Sequence, residues 1–219
     1  MVVGVIFDVD GTLVTFQFDV QGTRKALIEE LTREGFDVGG LDLSTPTQKI
    51  LDAANGQSLS GKGPSYETLR KKVFAILDEF EVASAQTTKP ISGVQAVLEG
   101  LRSRGARLGV LTNSGQRAAV ESLRRAGLHD HFEFILTRDH TEIMKPRSEG
   151  VAMAASKFGL PRSSVYYVGD SPFDVQAARG AGIKVVSVAT GNYSLERLRA
   201  GGPDHAISRL SELPAVLGV

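Results

Sequence analysis

Short, nearly unbroken apolar runs alternate with segments of helical period along most of this chain, and that alternation restricts its fold more than any other feature. Five runs read as strands: Val2–Phe7, Arg107–Thr112, Phe132–Leu136, Val165–Val168 and Ile183–Val188. Their β-branched character suits strands covered on both faces, as in a parallel sheet. The segments between the later runs have readable helix ends. Ser92 opens a capping box with Gln95, and Val94, Val97, Leu98 and Leu101 form a stripe that stops at Gly105. Ser114 leads through Val120 and Leu123 to Gly127, and Ser148 leads through Val151, Ala155 and Phe158 to Gly159. Pro172 stands where a first helical turn accepts it. These signals predict an α/β fold with helices packed on a mainly parallel sheet.

The alternation breaks between residues 15 and 89. One helical period runs through Val20, Leu27, Ile28 and Leu31, and another through Tyr66, Leu69, Val73, Ile76, Leu77 and Phe80. A short helix is expected at Thr47–Ala54, while Gly39-Gly40 and the stretch from Asn55-Gly56-Gln57 to Gly61-Lys62-Gly63-Pro64 read as loops. The expected organisation is a core of residues 1–14 and 90–219 with a helical insert at 15–89. Gly201-Gly202-Pro203 marks a late turn before a short closing segment.

Composition narrows the function classes. The 219 residues balance 25 Lys+Arg against 25 Asp+Glu, which argues against an extended nucleic-acid footprint. With no cysteine, disulfides, thiolate metal sites and cysteine nucleophiles are excluded. No apolar run approaches the roughly 18 residues of a membrane span. The opening residues lack the basic start of a signal peptide. The expectation is a cytoplasmic protein with no nucleic-acid or membrane partner, acting as a monomer or weak homodimer.

Acids interrupt two of the apolar runs at their ends. Val5-Ile6-Phe7 runs into Asp8-Val9-Asp10-Gly11-Thr12, and Val165 to Val168 runs into Gly169-Asp170, with Asp174 following. In an open parallel sheet, ligands bind beyond the carboxyl ends of the strands. Carboxylates gathered there repel one another unless a cation joins them, and hard oxygen ligands in that number suit Mg²⁺. Gly11 lets the backbone turn sharply and approach a ligand. The competing reading, that each Asp caps the next helix, stays open for Asp170 more than for the Asp8–Asp10 pair. Thr112-Asn113-Ser114 precedes a helix, where a hydroxyl and backbone N–H groups can cradle phosphate. Lys145-Pro146 follows the third strand.

Together, Asp8-Val-Asp10-Gly-Thr12, Thr112-Asn113, Lys145-Pro146 and Gly169-Asp170-x-x-x-Asp174 resemble, in order, the four motifs of the haloacid dehalogenase-like hydrolase superfamily. The likeness is to the branch with a helical cap after the first strand, which includes phosphoglycolate phosphatases and β-phosphoglucomutases. It implies a Rossmann-like core and phosphoryl transfer through an aspartyl-phosphate on Asp8, with Asp10 as general acid and then base. By the same resemblance, Asp8, the Asp10 carbonyl and Asp170 would hold Mg²⁺, with Asp174 in support. Gly11, Thr112, Asn113 and Lys145 would bind the phosphoryl group of a small phosphate ester. True dehalogenases of the family use no metal and lack the second Asp, so the Asp8–Asp10 pair favours phosphate. Two departures weaken transfer of any named substrate. Val14-Thr15-Phe16-Gln17-Phe18 replaces the usual Asp-Ser sequence after the first motif, and no second Pro follows Lys145-Pro146. The insert is also short for a four-helix cap.

Three rival functions share these residues: a phosphomutase, a noncatalytic phosphate-binding module, and a phosphoacceptor receiver domain. The receiver fits worst, because no Asp ends the second or third run. Phe16, Gln17, Phe18, Asn55, Gln57, Lys49 and Lys62 are candidate contacts for the rest of the substrate. Tyr66 and Phe80 read as core, and His129 and His131 as surface imidazoles.

Overall fold

The computed structural model describes residues 2–141 and 143–219. The chain divides into two compact units, residues 1–17 with 85–219, and residues 18–84.

The first unit begins with β1 (Gly4–Phe7). The chain then passes through the second unit's α1 (Val20–Arg33), α2 (Thr47–Leu59) and α3 (Tyr66–Ala85). It continues with α4 (Val94–Ser103), β2 (Arg107–Leu111), α5 (Gln116–Arg125) and β3 (Phe134–Leu136). Then come α6 (Glu149–Lys157), β4 (Val165–Gly169), α7 (Pro172–Gly180) and β5 (Lys184–Val188). The unit closes with α8 (Leu195–Ala200), β6 (His205–Ile207) and α9 (Leu213–Leu217). The sheet order is β3-β2-β1-β4-β5-β6, and every pairing is parallel. This is the Rossmann-like α/β fold expected from the sequence.

Side-chain alternation along the strands explains why both faces are covered. Val5 and Phe7 of β1, with Leu108, Val110, Val168 and Val186, bury one face against Leu98 and Leu101 of α4 and Leu123 of α5. Ile6, Leu111, Tyr167 and Val185 bury the other against Val151 and Ala154 of α6 and Ala177 and Ala178 of α7. Because β1 lies between β2 and β4, connections leave its two sides in opposite senses. The crevice at that reversal is where such sheets bind ligands.

Several local readings change. The first strand starts at Gly4, and the third covers only Phe134–Leu136, because Phe132 follows a 3-10 turn at His129–His131. The sixth strand has three residues, too few to show a period in sequence. The Ser92–Gln95 capping box does not form: Gly93, at φ +76°, is the cap of α4, and Gln95 bonds Glu99 instead. Ser148 occupies the cap position of α6 without a side-chain bond. Pro172 does open α7, behind a true capping box of Ser171 and Asp174.

Residues 15–17 and 85–89 stay with the sheet instead of the insert. Val14 pairs with Pro90. Beyond them Thr15 N–H donates to the Lys89 carbonyl at 2.8 Å, and the Thr87 hydroxyl donates to Gln17 Oε1 at 2.6 Å. These bonds tie the two legs together before the chain enters the helices.

In the second unit, Leu27 and Leu31 of α1, Ile50, Leu51 and Ala54 of α2, and Leu69, Val73 and Leu77 of α3 are buried. The loop expected at Asn55-Gly56-Gln57 is instead the continuation of α2. The Gln57 amide pairs with both main-chain groups of Asp37, at 2.7 and 2.8 Å, and the Ser58 hydroxyl donates to the Ala54 and Pro64 carbonyls. Those anchors carry the helix past a glycine that propensity alone would make a stop. Tyr66 and Phe80 are half-buried rather than core. Among the described residues, no helix is long and apolar enough to cross a membrane.

Candidate active site

Four strand ends supply the site. β1 delivers Asp8 and Asp10, β2 delivers Thr112, Asn113 and Ser114, the segment after β3 delivers Lys145, and β4 delivers Asp170. Asp174 enters from the first turn of α7. One carboxylate oxygen from each of Asp8, Asp170 and Asp174 lies within 4.8 Å of the others, and all three residues are buried.

Lys145 is the cation among them. Its Nζ stands 3.0 Å from Asp8 Oδ1 and 2.7 Å from Asp174 Oδ1, and it donates to the Tyr167 hydroxyl at 2.8 Å. Tyr167 passes its own proton to the Leu111 carbonyl at 3.0 Å, closing a network that crosses from β4 to β2. The backbone of Lys145 is held as firmly. Asn113 Oδ1 accepts from its N–H at 2.9 Å, and Asn113 Nδ2 donates to its carbonyl at 3.0 Å. The Lys145–Pro146 peptide is cis.

Burial pushes the Asp8 carboxyl up to about 7, with Lys145 pulling against it and Asp174 adding to it. Burial likewise lifts Asp170 to about 8, helped by the charges of Asp174 and Asp8. Asp10 is also raised by burial, while the Ser114 hydroxyl acts in the opposite sense. For Lys145 burial favours the neutral amine, but Asp174 and Asp8 outweigh it and hold the ammonium well above its usual range. Lys145 is therefore a fixed positive charge, while Asp8, Asp10 and Asp170 hold their protons more tightly than free carboxyls.

That electrostatic state fits a divalent cation. With all three carboxylates ionised against one ammonium, the site would hold an excess of negative charge in a desolvated place, and the donors are all hard oxygens. The carboxylates gathered are those of Asp8, Asp170 and Asp174. The Asp10 side chain is turned elsewhere, its Oδ2 accepting from the Ser114 hydroxyl at 2.7 Å. Asp174 has both oxygens engaged, Oδ1 by Lys145 and Oδ2 by the Ser171 N–H and hydroxyl at 3.0 and 2.5 Å.

Two glycines make this crowding possible. At Gly11, with φ +81°, a Cβ would come 2.5 Å from Asp170 Oδ2; at Gly191 it would come 1.8 Å from the same atom. Both polar main-chain groups of Gly11 are already used, its N–H donating to the Val14 carbonyl at 2.8 Å and its carbonyl accepting from the Thr190 hydroxyl at 2.6 Å. Gly11 thus also makes room for Asp170. The expected cradle before α5 is also narrower than the sequence suggested. The Ser114 N–H donates to Thr112 Oγ1 at 3.1 Å, and the Gln116 N–H donates to Asp139 Oδ2 at 2.6 Å. Of the hinge and insert candidates, Phe16 and Gln17 fall in the sheet unit, and Phe18, Lys49, Asn55, Gln57 and Lys62 in the unit of residues 18–84. His129 pairs with its neighbour Asp130 at 2.9 Å.

Sequence reasoning passed over Ser114 as a site residue, and over Tyr167, Arg138 and Thr190-Gly191 altogether. Arg138 is fully buried and donates to the Asn113 carbonyl at 3.0 Å. None of these carries a motif: each acts through a contact between distant parts of the chain.

The model of the haloacid dehalogenase-like hydrolase family matches residues 5–188. The chain belongs to that family. One relative is the phosphoglycolate phosphatase of Nitrosococcus oceani, 27% identical over 219 residues that cover 97% of this chain and 95% of its own. Another is (S)-2-haloacid dehalogenase 2 of a Pseudomonas species, 26% identical over 227 residues covering 98% of this chain and 95% of the relative. Among solved structures, a hydrolase from Pseudomonas syringae shares the fold with a TM-score of 0.70 at 22% identity, covering 99% of each chain.

Proposed function

We propose that this haloacid dehalogenase-like hydrolase is a Mg²⁺-dependent phosphatase of small phosphate monoesters, with Asp8 as nucleophile. The observation that carries this reading is the buried acid cluster of Asp8, Asp170 and Asp174 around Lys145. Relatives of this chain include both a phosphatase and a dehalogenase, so the site must decide between them. A carboxylate that attacks a neutral carbon–halogen bond has no need of two further buried acids, whereas attack on an anionic phosphate has to overcome charge repulsion.

Asp8 and Asp170 would hold the cation, with the Asp10 carbonyl completing the set and Asp174 supporting it through Lys145. When bound, Mg²⁺ supplies a Lewis acid that draws charge from the phosphoryl oxygens. Lys145, fixed by Asp8, Asp174 and Tyr167, neutralises the same charge from the side of the β3 loop. The Thr112 hydroxyl and the Asn113 amide would orient the remaining phosphoryl oxygen. An Asp8 oxygen then forms a bond to phosphorus as the ester P–O bond breaks, and Asp10 delivers a proton to the departing oxygen. In the second step Asp10, now a carboxylate, takes a proton from water as that water attacks phosphorus and releases Asp8. Dividing hydrolysis in this way gives each displacement an oriented nucleophile. Residues 18–84 are read as the family's helical cap.

The test is phosphate release from a panel of phosphorylated metabolites, with Mg²⁺ or EDTA, for wild type and Asp8→Asn. Release that requires Mg²⁺ and falls more than about a thousand-fold in Asp8→Asn is expected. Isomerised sugar phosphate without net phosphate release would replace the phosphatase with a mutase.

A further inference from the structure

Ser114 is fixed through both of its main-chain groups. Its N–H donates to Thr112 Oγ1 at 3.1 Å, and its carbonyl accepts from the Arg138 N–H at 3.2 Å. A serine before a helix ordinarily spends its hydroxyl on the helix's own N–H groups. That need is met otherwise here, because Asp139 takes the Gln116 N–H at 2.6 Å and Gly115 occupies the cap position of α5. The Ser114 hydroxyl instead reaches across the sheet edge to the loop after β1, donating to Asp10 Oδ2 at 2.7 Å.

We propose that Ser114 is the positioning residue for the general acid, holding Asp10 by Oδ2 so that Oδ1 exchanges the proton with the leaving group. This inference rests on the phosphatase reading above. The terminal torsion of an aspartate is broad, so an untethered carboxyl would spread its proton over many directions. One oxygen bonded to the hydroxyl of a serine whose main chain is held by Thr112 and Arg138 loses that freedom before substrate arrives, and the saving appears as rate. During the first displacement the proton on Asp10 Oδ1 moves to the departing oxygen while the phosphorus–oxygen bond to it breaks and the bond to Asp8 forms. Oδ2 stays on Ser114 throughout. The benefit is specific: it grows with the basicity of the leaving group, because a weakly basic one departs without the proton.

The experiment compares kcat/KM, which reports the steps through leaving-group departure, for phenyl phosphate and p-nitrophenyl phosphate with Mg²⁺. These esters are alike in shape, and phenoxide is the more basic leaving group. Ser114→Ala is expected to lose about tenfold or more on phenyl phosphate and less than about threefold on p-nitrophenyl phosphate, whereas Ser114→Thr stays within about threefold of wild type on both. Should Ser114→Ala fold poorly, Ser114→Val against Ser114→Thr asks the same question with matched shapes. Equal losses on the two esters, or no loss on either, would overturn the assignment. Wild-type release that Asp8→Asn leaves intact would instead remove the reading beneath it, and this inference with it.

Discussion

The two units of this chain handle charge in opposite ways. In the helical unit Lys71 pairs with Glu67 and Lys25 with Glu29 at the surface, while Lys72 reaches the half-buried Glu30 and Glu34. Each joins neighbouring turns or adjacent helices, and the unit's buried residues are mostly aliphatic, with Thr23, Phe36, Gln48 and Glu81 among them. In the sheet unit, Asp8, Lys145, Asp170, Asp174 and Arg138 are all buried. Surface pairs are worth little and report on solubility and local helix support. Buried acids raised by desolvation are a standing cost, and such groups cluster where the charge is put to use. The contrast supports the proposal that the active site lies in the sheet unit.

Removing a charge should therefore have very different consequences in the two units. Lys145→Met is expected to be the most damaging, lowering stability by about 3–5 kcal/mol at pH 8 because it strips Asp8 and Asp174 of their buried partner. Denaturant unfolding measures this, and a loss no larger than that of a surface lysine would erase the distinction. Tyr167→Phe removes only a hydroxyl, yet it leaves the Leu111 carbonyl and one Lys145 proton unpartnered in the interior. About 1–3 kcal/mol should be lost, again read by denaturant. At the other extreme, Lys71→Gln deletes an exposed pair of α3, and the melting temperature should not move. A clear drop there would mean that the helical unit depends on its surface charges after all.

How much of this was legible beforehand follows from the same physics. Five strands, the helical insert and the acids at two strand ends could be read from the chain, because apolar period and strand-terminal Asp are local signals. Lys145, in the segment after β3, and the Thr112-Asn113 pair could be read only by their order within a resemblance. Ser114, Tyr167 and Gly191 were hidden for one reason. A serine before a helix, a tyrosine in a strand and a glycine in a loop are ordinary, and only the folded chain brings them against Asp10, Lys145 and Asp170. Gly11 carries contacts that its motif does not show. Its position after Asp10 suggested ligand contact, and its polar groups close a turn and meet Thr190. The end of α2 was misread because Gly56 looked like a stop, whereas tertiary bonds from Gln57 and Ser58 override propensity.

The central claim, that the buried acids of the sheet unit are kept for a divalent cation, can be tested without knowing the substrate. Asp8 and Asp170 titrate near 7 and 8 in the folded chain, against an ordinary 3.8. Between those values the folded state binds more protons than the unfolded one, so stability must fall as pH rises through the window. The decisive measurement is the melting temperature of the EDTA-treated protein from pH 5.5 to 8, repeated with saturating Mg²⁺. The account predicts a decline toward pH 8 without the cation, and a Mg²⁺-induced rise that is larger at pH 8 than at pH 5.5, where protons compete for the carboxylates. A profile that stays flat or climbs in EDTA, with no response to Mg²⁺ at pH 8, would contradict it.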